Sequence, residues 1–162
     1  MKHIISVLVE NQPGVLARVI GLISGRGYNI DSLNVAPTQD ITTSRITMTV
    51  PGDDHVLEQV TKQLNKLVDV IKVFDLTKEK YIDRELVLVK VCAATKNRSA
   101  LIELAALFRA ENVSVQNKAM IIQMVGTTDA VDNFLELIKP HGIVEVSRTG
   151  VIAVGKAEER GA

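Results

Sequence analysis

The chain has 162 residues, room for one ordinary domain or two small ones, and its 19 basic and 19 acidic side chains balance. That balance argues against the net basic face of a polyanion binder, and 3% aromatics with no Trp leave no stacking platform for single-stranded nucleic acid. With 46% hydrophobic residues, the core must be built from Val, Ile, Leu and Ala.

Residues 2–10, KHIISVLVE, are rich in β-branched side chains and predict a buried strand. The polar turn NQPG follows, and then Val15, Leu16, Val19, Ile20, Leu22 and Ile23 take up helical spacing. Gly25 and Gly27 supply the stop, because glycine adopts the left-handed conformation in which helices often end. NIDSLNVAP and TSRITMTVP read as two strands joined by a Thr/Gln/Asp turn. The run PGDD then punctuates, its Asp suited to capping a helix whose apolar stripe is Val56, Leu57, Val60, Leu64 and Leu67. VDVIKVFDLT closes the half as a strand. The order is β-α-β-β-α-β, the ferredoxin-like unit.

The second half repeats the pattern. LVLVKVCA is a strand, and ALIELAALFRAENVSV aligns with VLARVIGLISGRGYNI without a gap, Leu101 on Leu16, Leu104 on Val19 and Val115 on Ile30. MIIQMVG, AVDNFLELIKP and GIVEVSRTGVIAVG complete it as strand, helix and last strand. The fold class is therefore α+β, two ferredoxin-like domains: residues 1–77 and 86–157. Between them, KEKYIDRE (78–85) has six charged residues in eight. It reads as a solvated linker and also fits an extension of the flanking strand. Residues 158–162 read as a disordered tail. Each domain would carry helices on one face of a four-stranded sheet. The other face then needs cover, which leads us to expect a homodimer.

Strand-like sequence begins directly after Met1, so no leader peptide is expected, and no apolar run reaches the ~18 residues of a membrane span. Cys92 stands alone, as in a reducing compartment, and reads as a small buried hydrophobe. A cytoplasmic protein is the expectation. His3, His55 and His141 lack ligand spacing and read as surface residues; no metal site is expected. Asp53-Asp54-His55 has donors for a divalent cation, but a helix cap is the commoner use. No serine has a His/Asp constellation, and there is neither a P-loop nor a Gly-Asp-Gly signature, so no catalytic residue is assigned. Arg148-Thr149-Gly150 interrupts the last strand and fits either an edge bulge or a partner contact.

The turn NQPG has chemistry suited to a ligand. Pro13 is tolerated at a helix start, and Gly14 lets the backbone come close to a bound group. The first helical N–H groups then carry the positive end of the helix dipole, which suits a carboxylate. Asn11 offers both a donor and an acceptor, and Leu16 and Ile30 give a small apolar wall. A free aliphatic α-amino acid fits. A plain capping role for Asn11, a plain turn at Gly14 and a turn role for Asn29 fit equally.

These residues carry a resemblance. Strand–ENQPGVLARV–helix–GYNIDSL resembles an ACT domain, the amino-acid-sensing module. With SRITMTV, EQVTKQLNKLVDVIKV and RELVLVKV following, the chain resembles the regulatory small subunits of acetohydroxyacid (acetolactate) synthase. The likeness is dense over residues 3–92 and looser from Thr95 on. It implies a non-catalytic subunit that binds and activates a large catalytic subunit, which would carry thiamine diphosphate, Mg and FAD. It implies feedback inhibition by valine or another branched-chain amino acid, in valine, leucine and isoleucine biosynthesis, and no cofactor on this chain. It also implies an effector held between two ACT domains, by Asn11, Gly14, Val15 and Leu16 of one chain and Asn29 and Ile30 of its mate. The second half has KNRS where the first has NQPG, so a second site of this design is not expected there; dimerisation or partner contact is. The alternative is a stand-alone amino-acid sensor for another enzyme or a transcription factor. Co-purification with a thiamine-diphosphate enzyme separates the two.

Overall fold

A computed structural model describes residues 1–156. The chain divides into two compact units, one formed by Met1–Ile82 with the segment from Gly150 on, the other by Asp83–Thr149.

In the first unit the elements are β1 (Lys2–Glu10), α1 (Val15–Gly25), β2 (Ser32–Pro37), β3 (Thr43–Pro51), α2 (Asp54–Asn65) and β4 (Val70–Asp75). The strands form an antiparallel sheet in the order β2-β3-β1-β4. A strand's side chains alternate between faces, so Ile5, Val7 and Val9 of β1 share one face with Ile46, Met48 and Val50 of β3. Helical spacing brings Val15, Val19 and Ile23 of α1 onto that face, with Leu57, Val60 and Leu64 of α2. All twelve are buried, and burial of each such side chain contributes about 1.5–3 kcal/mol. The Asp53 side chain accepts the Val56 N–H at 2.9 Å and caps α2, the role its position in PGDD suggested.

The opposite face is mostly polar. Arg45 Nη1 donates to Ser6 Oγ at 2.6 Å, and the Ser32 and Thr49 hydroxyls meet at 2.8 Å. Its apolar end, Ile4 with Leu76, is packed by Val151 and Ala153 of the same chain. In this unit, then, an uncovered apolar sheet face gives no reason for a dimer.

The second unit contains most of β5 (Tyr81–Cys92), then α3 (Thr95–Leu107), β6 (Glu111–Val115), β7 (Ala119–Gly126), α4 (Thr128–Ile138) and β8 (Ile143–Arg148), with sheet order β6-β7-β5-β8. Val87, Val89 and Val91 face Leu101, Val131 and Phe134, and the rings of Phe108 and Phe134 pack at 5.2 Å. Thr127 caps α4 through the Ala130 N–H.

Four expectations are corrected. Segment 78–85 is a linker only in part: from Tyr81 it is strand, the extension that its sequence also allowed. The last strand breaks, because Gly150 turns the chain at φ 77°, and β9 (Ile152–Gly155) belongs to the first unit. Cys92 is exposed, since it follows Leu88 and Lys90 onto the face away from the helices. His3 is buried, its Nε2 hydrogen-bonded to the Gly52 carbonyl at 3.0 Å. The Arg148 guanidinium pairs with buried Glu85 at 2.6 Å and with Asp132 at 2.8 Å, all within the second unit. Those hydrogen bonds, Glu85's above all, raise its already high pKa. The residues of the expected tail, 158–162, lie outside the described part. No helix among the described residues is long and apolar enough to cross a membrane.

Candidate functional site

The candidate site lies at the end of β1. Two bonds fix Asn11 there: its backbone N–H donates to the Thr42 carbonyl at 2.8 Å, and its Nδ2 donates to the Ile41 carbonyl at 2.9 Å. The side chain thus latches the start of the turn to the β2–β3 loop. Its Oδ1 has no partner among the described residues, so the group it offers outward is an acceptor.

Gly14 is the residue from which α1 starts, at φ 82° and ψ −6°, a conformation that costs a side chain strain. No side chain caps α1, whereas α2 and α4 are each capped. The Val15 N–H donates to the Gln12 carbonyl at 3.4 Å, and the next N–H groups of the first turn lack the side-chain acceptor that a cap provides. Val15 points into the core at 3% exposure, so its side chain does not face the turn. Leu16, 37% exposed, supplies apolar surface beside the turn.

Asn29 and Ile30 follow the other end of α1. Asn29 is exposed and its Nδ2 donates to Asp31 Oδ1 at 3.3 Å, while Ile30 packs partly against the core. The 11 residues of α1 stand between the two groups. At 1.5 Å per residue that is about 16 Å, too far for both to hold one small molecule within one chain.

Two further residues belong to this corner. Arg18 lies one helical turn after Gly14. Its Nε donates to Asp69 Oδ2 at 2.8 Å, and its Nη1 is 3.0 Å from where a Cβ on Gly14 would stand. The guanidinium therefore covers the helix start. Asp69 is anchored in turn, since its carbonyl accepts the Glu10 N–H at 2.9 Å. The i, i+4 spacing from Gly14 to Arg18 was visible in the sequence; the pairing with Asp69 was not.

The matching corner of the second unit is built differently. There α3 begins at Thr95, about one turn before the position matching the α1 start. Helix fills the place of the NQPG turn, and Ser99, matching Gly14, lies inside it. Arg98 Nη2 reaches the Gln116 carbonyl at 3.0 Å, with Ala93 and Asn117 carbonyls at 3.5 Å.

A groove of about 720 Å³, lined by Leu57, Thr61, Phe74 and charged neighbours on α2 and β4, includes none of the candidate residues. No group of three or more His, Cys, Asp or Glu among the described residues is placed to hold a metal ion.

The comparisons with known proteins agree over both halves. Residues 5–72 match the family described as the AHAS small subunit-like ACT domain, and residues 84–157 match the family described as the small subunit of acetolactate synthase. The chain is 48% identical over 160 residues to a probable acetolactate synthase small subunit of Archaeoglobus fulgidus, covering 99% of this chain and 100% of that one. It is 44% identical to the small subunit of acetolactate synthase isozyme 3 of Escherichia coli, with 98% of each covered. The crystal structure of the acetolactate synthase small subunit of Thermotoga maritima superposes with a TM-score of 0.89 at 34% identity, over 98% of this chain and 99% of that one.

Proposed function

The chain belongs to the family of acetolactate synthase small subunits, and on that premise we propose that it regulates a catalytic large subunit in response to a branched-chain amino acid, valine foremost. It performs no chemistry itself. It binds the large subunit, raises its activity and imposes feedback inhibition, in the cytoplasm. Thiamine diphosphate, Mg and FAD sit on the large subunit.

The observation that carries this reading is the uncapped, left-handed start of α1 at Gly14. An α-amino acid offers a carboxylate to such a start. Its ammonium suits the free Oδ1 of Asn11, and a short aliphatic side chain suits Leu16. Because α1 holds Asn29 and Ile30 away from this corner, they serve the site of a second chain. Two chains pair through the ACT domain, and each interfacial site takes Asn11, Gly14, Val15 and Leu16 from one and Asn29 and Ile30 from the other. A closed two-fold dimer would hold two equivalent sites.

Reconstitution with the large subunit tests this. Wild-type chain should raise acetolactate formation and make it sensitive to valine. The Asn11→Ala and Asn29→Ala chains should each activate without conferring sensitivity. After the two variants exchange into heterodimers, one site carries both defects and the other neither, so half the effector sites should recover wild-type affinity. A folded heterodimer with no recovery would rule out the shared site, and a chain that never affects the large subunit would rule out the regulatory role.

A further inference from the structure

We propose that Arg18 receives the effector's carboxylate and that Asp69 is the positioning residue that sets how strongly it does so. The proposal rests on the effector reading above and adds to it a charged contact outside the turn itself.

The argument begins with the two edges of the guanidinium. The Nε edge is held by Asp69 Oδ2 at 2.8 Å. Nη1 and Nη2 have no acceptor among the described residues, although Nη1 lies 3.0 Å from the Cβ position of Gly14. The free edge thus stands over the helix start, and the side chain is half exposed. A guanidinium is a rigid fork matched to a carboxylate, and here it adds its charge to that of the helix dipole.

Asp69 has two opposed effects on that fork. It is locked by its own carbonyl bond to the Glu10 N–H, so it fixes the guanidinium in place. Its charge also offsets that of Arg18 and repels a second carboxylate nearby. The pair therefore holds a cation in the right place at reduced strength.

The test is calorimetric titration of the intact chain with valine and, separately, with valinamide, which keeps the ammonium and side chain but lacks the carboxylate. Arg18→Gln should weaken valine binding tenfold or more and leave valinamide almost unchanged, so the gap between the two ligands narrows by that factor. Arg18→Lys, which keeps the charge without the fork, should fall between. Asp69→Asn keeps an acceptor for Nε but removes the competing charge, and should tighten valine severalfold. Equal losses for both ligands, or none, would overturn the proposal, as would Asp69→Asn weakening valine. Gly14→Asp serves as the control. If it abolishes valine binding while Arg18→Gln has no effect, only the role of Arg18 is wrong. If neither variant matters, the site itself has been misplaced.

Discussion

The two halves share one fold and begin their first helices in opposite ways. In the first, β1 ends in NQPG, and α1 starts uncapped from a glycine at φ 82°. In the second, KNRS carries no such constraint, and helix starts about one turn earlier at Thr95. Each half still ties this corner to its neighbouring hairpin. Asn11 does so with one amide N–H to the Ile41 carbonyl; Arg98 does so through the carbonyls of Gln116 and Asn117. An amide latch leaves an acceptor free for a ligand. An arginine latch has only donors, and its Nη2 is taken up by the hairpin carbonyls. The same scaffold thus keeps its corner closed by two chemistries, one of which leaves an amide oxygen without a partner among the described residues.

The largest expected effect breaks that asymmetry at one atom. A side chain at Gly14 must adopt a positive φ and sits 3.0 Å from Arg18 Nη1. In Gly14→Asp the new carboxylate falls against that guanidinium and the helix start, where an effector's carboxylate would go. Sensors working at micromolar to millimolar effector have only about 4–8 kcal/mol of binding free energy. Loss of one charge-assisted hydrogen bond, about 1.5–3 kcal/mol, removes a large share. Valine affinity should therefore fall at least tenfold by calorimetry. The matching Ser99→Asp, inside α3, should leave it unchanged. A fall of similar size in Ser99→Asp would mean that the second half also binds effector.

The latches come next. Arg98→Ala removes a donor group from three carbonyls and should lower stability by about 1–2 kcal/mol in urea titration, with valine affinity intact. Asn11→Ala removes one exposed hydrogen bond and should cost about 0.5 kcal/mol, yet weaken valine severalfold. The two substitutions should thus rank oppositely in stability and in binding. If Asn11→Ala changes stability alone, its amide is only a latch.

Much of this contrast was legible in the sequence, because its determinants are local. The gapless match of Leu101 to Leu16 exposed the repeat, and Pro13-Gly14 announced a turn that KNRS does not make. The capping Asp53 followed from its place before an apolar stripe. What stayed hidden depends on residues far apart in the chain. Arg18 looks like one more charge on a solvated helix until Asp69, 51 positions on, takes its Nε. The burial of His3 depends on the Gly52 carbonyl, 49 positions away. The return of β9 to the first unit turns on Gly150, whose setting cannot be read from an apolar run. Cys92 was misread for a different reason: an apolar neighbourhood suggested burial, but strand parity decides which face a residue takes.

The smallest expected effect concerns the second helices, which are also capped differently. α2 is capped by an ionisable Asp53, α4 by Thr127, which does not titrate. The hydrogen bond from the Val56 N–H holds the Asp53 carboxyl below its ordinary pKa. A carboxyl depressed on folding stabilises the native state above its unfolded pKa, near 4, and that contribution is lost as pH falls through the folded value. Asp40 behaves likewise, held down by the Thr42 hydroxyl, so the first half carries two such groups. Melting curves taken between pH 7 and pH 2 should show Asp53→Asn losing less stability in acid than wild type, with the two curves converging at the acid end. Thr127→Ala should lie below wild type by a constant margin across the same range, because the bond it removes carries no proton that titrates there. A Thr127→Ala margin that shrinks in acid would place the acid-sensitive contacts in the second half, against the location of both depressed carboxyls.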